Sequence, residues 1–320
     1  MNPLVSIIIP VKEINNYIRE SIPNILNLDY ENFEVVIFPD SPSAEIFPKT
    51  TIIPTGKIGP AEKRDLALKY AKGEIFAFLD DDAYPRKDWL SSAVRHFEDK
   101  EVAGVGGPAV TPRHDSAWQR ASGGVFSSWL ASGGYEYRYV PRENVTEVDD
   151  YPTVNLLVRR DIFEQVGGFD TNYWPGEDTK LCLDITKKLG KKIKYEPDAL
   201  VYHHRRPLFR SHLQQVGRYA FHRGYFVKVL PETSLRLQYF VPSLFLVGLI
   251  IGALLSPINE FISAAYLTAL AVYIVVLLAT VIAMTVKEKD IIVAALAVPG
   301  IFLTHVVYGY NFLKGLSARR

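Results

Sequence analysis

Residues 76–85 read FAFLDDDAYP. The apolar run Ile75–Leu79 stops abruptly at Asp80, Asp81 and Asp82. Carboxylates this close repel, and each raises the cost of ionising the others. A chain keeps such a cluster where something positive sits among them, or where water dissolves them. An apolar strand that spills its charges at one end points to the rim of a sheet, and the neighbouring sequence decides which kind.

Upstream, Val5–Pro10 (VSIIIP) is a continuous, β-branched apolar run, as expected of a strand buried on both faces. A helical pattern follows from Asn16 to Asn27. Phe33–Phe38 is the second strand and ends at Pro39-Asp40, and Thr51–Pro54 is a short third one. Pro60 opens a helix and Gly73 closes it, the usual proline-first, glycine-last asymmetry. Ile75–Leu79 and Val102–Gly106 are the fourth and fifth strands. Strands alternating with helices predict an α/β domain, a mostly parallel sheet with helices on both faces. Ligands of such sheets bind beyond the carboxyl ends of the strands. Lys12 and Glu13 after the first strand, Asp40 after the second and Asp80–Asp82 after the fourth should therefore share one rim. No G-x-G-x-x-G follows the first strand and no G-x-x-x-x-G-K-[ST] occurs, so neither a dinucleotide dehydrogenase nor a P-loop NTPase is supported.

Downstream, residues 109–150 contain SGGVFSSWLASGGYEYRY and read as a long loop. Interleaved aromatics suit stacking on a sugar or lipid face, and equally a mobile surface segment. Asn144-Val145-Thr146 fits a glycosylation sequon, a triplet common by chance. Thr153–Arg159 resumes as a strand. A short helix at Asp161–Val166 and the turn GGFD lead to YWPGED, where Glu177 and Asp178 open a helix running to about Leu189. Carboxylates in a first turn suit the helix dipole, but the Trp-Pro-Gly lead-in would also carry them to the mouth of a site. A further strand ends in His203-His204.

Asp80 and Asp82 are hard oxygen ligands at a strand end. Mg²⁺ or Mn²⁺ binds through one or two carboxylates and fills its shell with water and substrate phosphates. Such an ion would be the missing positive charge, and Lys57, Lys63 and Arg64 lie about twenty residues upstream.

In this order and spacing, VSIIIPVKEINNYIRESI, Asp40, GPAEKRDLALKYAKGEIFAFLDDDAYP, NLLVRRDIFEQVGGFD and WPGEDTKLCLDI make the chain resemble a family 2 glycosyltransferase with the GT-A fold over nearly all of residues 4–230. The resemblance implies a nucleotide-sugar donor and a divalent metal. It implies that Pro10 and Glu13 line the nucleoside pocket, Asp40 holds the base, and Lys63 and Arg64 contact the nucleotide. Asp80, with Asp81 beside it, would flank the ribose and metal. Asp82 would ligate the metal. Asp178 would be the general base, with Glu177 supporting it. Asp65 departs from the pattern, since many relatives carry asparagine after the arginine. A histidine after the last strand looks like a third metal ligand in some relatives. His203 is preferred over His204 here, against the alternative of a surface pair beside Arg205-Arg206. The implied reaction is a single displacement, inverting the anomeric carbon.

The C-terminal third changes character. Tyr239–Ser256, Phe261–Val286 and Ile291–Leu313 hold no Asp, Glu, Lys or Arg, and each is near the length that spans a bilayer. Pro299-Gly300 suggests a kinked or partly re-entrant third segment. Residues 205–236 carry Arg205, Arg206, Arg210, Arg218, Arg223, Lys228 and Arg236 against Glu232 alone. Phe209, Leu213, Val216 and Ala220 recur at helical spacing, which describes a basic amphipathic helix on a membrane surface, or a core-packed helix leading to the first span. Within it QQVGRY partly resembles the Q-x-x-R-W element of membrane synthases, placing Gln215, Arg218 and Tyr219 at an acceptor entrance. The expected division is therefore a GT-A domain over 1–204, an interfacial helix over 205–236 and a membrane region over 237–320.

The whole chain has 320 residues, a formal net charge of +1 and a single cysteine, Cys182. The charge gives no field suited to nucleic acid. One cysteine forms no intrachain disulfide, which fits a reducing compartment. Met1–Pro10 has no cleavable-signal pattern. The expectation is a multi-pass membrane protein with a cytoplasmic catalytic domain, acting on a lipid-linked acceptor such as a polyprenyl diphosphate saccharide. Three crossings would put Lys314, Arg319 and Arg320 outside, against the positive-inside tendency. The alternatives are transfer to polyprenyl phosphate itself, a processive synthase, and a catalytically dead nucleotide-sugar-binding scaffold.

Overall fold

The computed structural model describes residues 2–319, so Met1 and Arg320, the last of the tail cations, lie outside the described residues. The strands are β1 (Val5–Pro10), β2 (Phe33–Phe38), β3 (Thr50–Ile52), β4 (Ile75–Leu79), β5 (Ala83–Pro85), β6 (Val102–Gly106), β7 (Ala109–Val110), β8 (Thr146–Val148), β9 (Asn155–Arg159), β10 (Lys192–Tyr195) and β11 (Val201–His203). The helices are α1 (Asn16–Leu26), α2 (Pro60–Asp65), α3 (Ala67–Tyr70), α4 (Trp89–Val94), α5 (Ala117–Ser127), α6 (Trp129–Ser132), α7 (Arg160–Val166), α8 (Glu177–Leu183), α9 (Arg210–Val229), α10 (Pro231–Ser234), α11 (Leu237–Leu255), α12 (Glu260–Glu288) and α13 (Ile291–Ser317). They form two compact units. One holds the residues up to Val110 with Arg138–His204, and the other holds Thr111–Tyr137 with the residues from Arg205 onward.

The first unit is built on a mixed sheet in the order β3-β2-β1-β4-β9-β6-β10-β8. Its left half is parallel, and β6 and β10 are parallel to each other. β9 is inserted antiparallel between β4 and β6, which the alternating pattern did not predict. β-branched residues set the alternation. Ile7, Ile9, Val35, Ile37, Ala77 and Leu79 pack with Ile18, Ile22 and Ile25 of α1 on one face. On the opposite face Phe76 and Phe78 meet Phe163 edge-on at 5.8 Å and tilted at 5.4 Å. A second sheet, β5-β11-β7, has only three short strands. Asn155 is fully buried and answers three groups at once. Its Oδ1 accepts the Trp89 indole N–H at 2.8 Å, and its Nδ2 donates to the carbonyls of Gly107 and Ala199, each at 2.7 Å. The helix opened by Pro60 breaks at Leu66 into α2 and α3. The helix opened by Glu177 finishes as a wider turn over Asp184–Lys188.

In the second unit the stretch expected to be a loop contains α5 and α6. Ser116 caps α5, with Gln119 reaching back in a reciprocal capping box. Its glycines are packing devices. A Cβ on Gly123 would collide with Thr111, and one on Gly124 with Met284 of α12. α9 buries His212, Val216, Gly217, Ala220, Arg223, Gly224 and Phe226, a stripe that keeps Val216 and Ala220 of the expected face and adds two glycines and two polar side chains. The stripe lies on α13, where a Cβ at Gly224 would strike the Phe312 carbonyl. This face of α9 is packed, while Arg210, Arg218 and Lys228 on the same helix are exposed. α13 runs unbroken through Pro299, and α11, α12 and α13 are each long and apolar enough to cross a membrane.

Candidate active site

The parallel strands bring their polar ends together as expected of a strand-end rim. Pro10 closes β1, and Glu13 stands exposed just beyond it. The Asp40 amide donates to the Lys12 carbonyl at 2.9 Å, tying the end of β2 to the end of β1. Lys63, buried on α2, donates to the Asp40 carboxylate and to the Val11 carbonyl. A buried ammonium needs such partners, because desolvation of an unpaired charge is costly.

The acidic turn after β4 divides its three carboxylates among three partners. Asp80 accepts from the Arg64 guanidinium at 2.6 Å. The other arm of Arg64 lies 3.5 Å from Glu177 at the start of α8. Asp81 accepts from the Asn15 amide at 2.6 Å. Burial, then repulsion from Asp82, pushes the Asp81 carboxyl up to about 6. Asp82 lies 3.1 Å from Nε2 of His203. That approach follows from the small sheet, where β11 pairs antiparallel with β5 and sets His203 opposite Ala83. One ligand atom each from Asp80, Asp82 and His203 falls within 4.8 Å of the others. Two carboxylates and an imidazole fit a divalent cation such as Mg²⁺ or Mn²⁺ by size and donor chemistry. His204 points elsewhere. It is buried, stacks on Tyr17 at 4.8 Å and meets Glu20 Oε2 at 3.0 Å.

At the first turn of α8, Glu177 is only 6% exposed and accepts the Gly176 amide at 2.9 Å. Asp178 follows it and accepts the Thr179 amide at 2.7 Å. Asp65, where the family pattern has asparagine, accepts the Phe169 amide at 2.8 Å and so holds the turn that leads toward α8. Burial pushes its carboxyl up to about 6, despite that bond and the adjacent Arg64.

One residue and one link were not legible in the sequence. Asn15 caps α1 through Oδ1 while its Nδ2 holds Asp81. An asparagine before a helical pattern signals a cap, but nothing local signals a partner 66 residues away. The bridging role of Arg64 toward Glu177 was equally invisible. Gln215, Arg218 and Tyr219 lie on α9 of the helical unit. There Arg218 and Tyr219 are exposed, and the Tyr219 hydroxyl accepts from Arg223 at 3.0 Å.

The profile described as Glycosyl transferase family 2 matches residues 6–167. A pre-mycofactocin glycosyltransferase from Mycobacterium tuberculosis is 34% identical over 166 residues, covering 52% of this chain and 34% of that protein, so the chain aligns with about a third of that relative. A dolichyl N-acetyl-alpha-D-glucosaminyl phosphate 3-beta-D-2,3-diacetamido-2,3-dideoxy-beta-D-glucuronosyltransferase from Methanococcus voltae is 25% identical over 98% of this chain and 97% of its own. Among solved structures, a mannosyltransferase from Pyrobaculum calidifontis in complex with GDP-Man and Mn²⁺ superposes with a TM-score of 0.57 at 21% identity, covering 100% of this chain and 89% of that one, a likeness of fold. The sheet unit with its strand-end acidic turn is thus of the GT-A class. The chain belongs to glycosyl transferase family 2.

Proposed function

We propose that this protein is a membrane-bound, metal-dependent, inverting glycosyltransferase that moves one sugar from a nucleotide-sugar donor to a polyprenyl-linked acceptor. Arg64 carries the reading. One buried guanidinium faces Asp80 on the donor side and Glu177 on the acceptor side, so both halves of the reaction share a cation. Pro10, Glu13 and Asp40 receive the nucleoside, and Lys63 fixes the Asp40 carboxylate. Asp80, Asp82 and His203 would hold Mg²⁺ or Mn²⁺, which supplies positive charge to the departing diphosphate. Glu177 is held by Arg64 and the Gly176 amide, and Asp178, beside it in the first turn of α8, is assigned as the base. Its carboxylate takes the proton of the acceptor hydroxyl. The hydroxyl oxygen bonds to the anomeric carbon from the face opposite the nucleotide, the bond to the phosphate oxygen breaks, and the configuration inverts.

The near full-length relative with a dolichyl-linked sugar phosphate in its name supports a lipid-linked acceptor, as do the apolar helices. Gln215, Arg218 and Tyr219 are assigned to the acceptor, and the sheet unit to the cytoplasmic side. The test is transfer of labelled sugar from UDP-, GDP- and dTDP-donors to a polyprenyl-linked saccharide, with and without Mn²⁺. One added sugar, dependent on metal and lost in Asp82→Ala, is the expected result. A long polymer would indicate a processive synthase. Donor binding with no turnover on any acceptor would overturn the reading in favour of a binding scaffold.

A further inference from the structure

We propose that the chain enters the bilayer only as the hairpin of α11 and α12, and that α13 lies along the membrane surface on the same side as α9. The inference rests on the membrane-bound part of the reading above and not on sugar transfer.

By length and composition the three helices are alike, but their surroundings differ. In the most apolar window of each, 39% of α13 is buried in protein, against 6% for the helix from Leu237 and 11% for α12. What covers α13 combines apolar packing with buried polar contacts. Over its first half it meets α5 and α6. Arg120 pairs with Asp290 at 2.9 Å, Val125 packs with Ala297 and Ile301, and the Leu130 carbonyl lies 2.9 Å from His305 Nε2. Over its second half α9 runs parallel to it. His212 Nε2 is 3.0 Å from Thr304 Oγ1, Gly217 sits against Val307 and Asn311, Gly315 against the Phe221 backbone, and Lys228 donates to the Ala318 carbonyl. α9 exposes Arg210, Arg218 and Lys228. A helix with that face does not accompany a partner through hydrocarbon, where charges are costly and turn inward.

The hairpin stands across α13 and not beside it. The first turns of α11 sit on the C-terminal half of α13, with Phe240 4.9 Å from Phe312 and the Ser243 hydroxyl donating to the Gly309 carbonyl at 3.1 Å. The last turns of α12 sit on its N-terminal half, where Leu277 and Met284 pack with Val293 and Ala297. Between these footings the two legs join each other. Phe245 and Tyr273 are 4.6 Å apart, and the Tyr266 hydroxyl donates to the Leu249 carbonyl at 3.3 Å. A third helix parallel to the bilayer normal would follow one leg along its length. α13 meets the start of α11 with its C-terminal half and the end of α12 with its N-terminal half, and touches both Phe245 and Tyr273 at Phe302 and His305 between them.

Charge agrees. Two crossings put Arg210, Arg218, Lys228, Arg236, Lys287, Lys289, Lys314 and Arg319 on one side, while the hairpin tip Ser256–Glu260 carries only Glu260. That removes the conflict with the positive-inside tendency that three crossings create. Arg218, His222 and Lys314 also line one hollow between α9 and α13, which three crossings would place across the bilayer from the start of α11.

The test uses the full-length protein in sealed right-side-out and inverted vesicles, with single cysteines introduced as Gln214→Cys on α9, Ser256→Cys at the tip and Ser317→Cys at the end of α13. Cys182 is buried and remains. A membrane-impermeant maleimide is expected to label Gln214→Cys and Ser317→Cys in the same vesicles, with Ser256→Cys labelled in the other preparation or only after detergent. Ser317→Cys labelling opposite to Gln214→Cys would overturn the proposal. A protease-cleavable tag after Arg320 on the unsubstituted chain reads the same topology without any variant. It should be cut in the vesicles that expose the sheet unit, and protection there would overturn the proposal. Neither readout needs turnover, so the topology can fail while the transferase reading stands, and the reverse.

Discussion

The sheet unit and the helical unit are built from equally plain sequence signals, and the signals differ in what they fix. A strand that ends in charge places that charge, because parallel strands run out on a common edge. Asp40, Lys63, Arg64 and Asp80 meet there through contacts that follow from the order of the elements. A helix that is apolar throughout says only that water is excluded from it. α12 and α13 have similar composition, yet one is largely bare and the other is sheathed by α5, α6 and α9. Location is local information in the first unit and relational information in the second.

The largest test of this contrast is chemical. Asp178→Asn should lower turnover by about 10²–10⁴-fold, while thermal stabilisation by donor and Mn²⁺ persists. Loss of donor binding as well would break the division of the rim into donor and acceptor sides. Next in size is Arg64→Ala, which strands Asp80 and Glu177. Asp80 is 32% exposed and Glu177 keeps the Gly176 amide, so urea unfolding should show a loss of about 1–3 kcal/mol. A loss near zero would mean that the bridge is decorative. In the helical unit, Gly224→Val forces a side chain into the Phe312 carbonyl and should cost about 1–3 kcal/mol. Its effect should appear in the unfolding of that unit, with donor affinity unchanged. Equal damage to both would erase the comparison.

The smallest effect is a slope. The Asp65 carboxyl is raised from 3.8 to about 6 in the folded chain. The folded state therefore holds this proton more tightly than the unfolded one. Its contribution to stability is fully present below the lower value and is lost as pH rises through the folded value. Asp65→Asn should flatten stability between those two values and keep a carbonyl for the Phe169 amide. Asp65→Ala should instead cost about 1 kcal/mol by leaving that amide unanswered. An unchanged slope in Asp65→Asn would assign the titration to another group.

These cases mark what could be read from residues alone. The rim was legible because β1, β2 and β4 are short apolar runs with abrupt polar ends. The approach of His203 to Asp82 was legible only in that a strand ended there. The distinction from His204 needed the β5–β11 register and the stacking of Tyr17. β9 was legible as a strand but its antiparallel direction was not, because direction in a sheet is set by the connection and not by the strand's own residues. α5 looked like a loop because Gly123 and Gly124 are common in loops. They are small here because Thr111 and Met284 leave no room for a Cβ. Close approach and flexibility select the same residue, and only the neighbours tell them apart.

The small sheet has a consequence in time. It joins residues 83–85, 109–110 and 201–203, and β5 is complete long before β11 exists. At ribosomal speeds the intervening stretch takes on the order of ten seconds to make. Through that interval the acidic turn is already synthesised, while the imidazole that will face Asp82 is not. A nascent chain arrested before Val201 would carry the carboxylates without the histidine, so full affinity of the proposed site for a divalent ion should arrive late in translation, with the sheet unit all but finished.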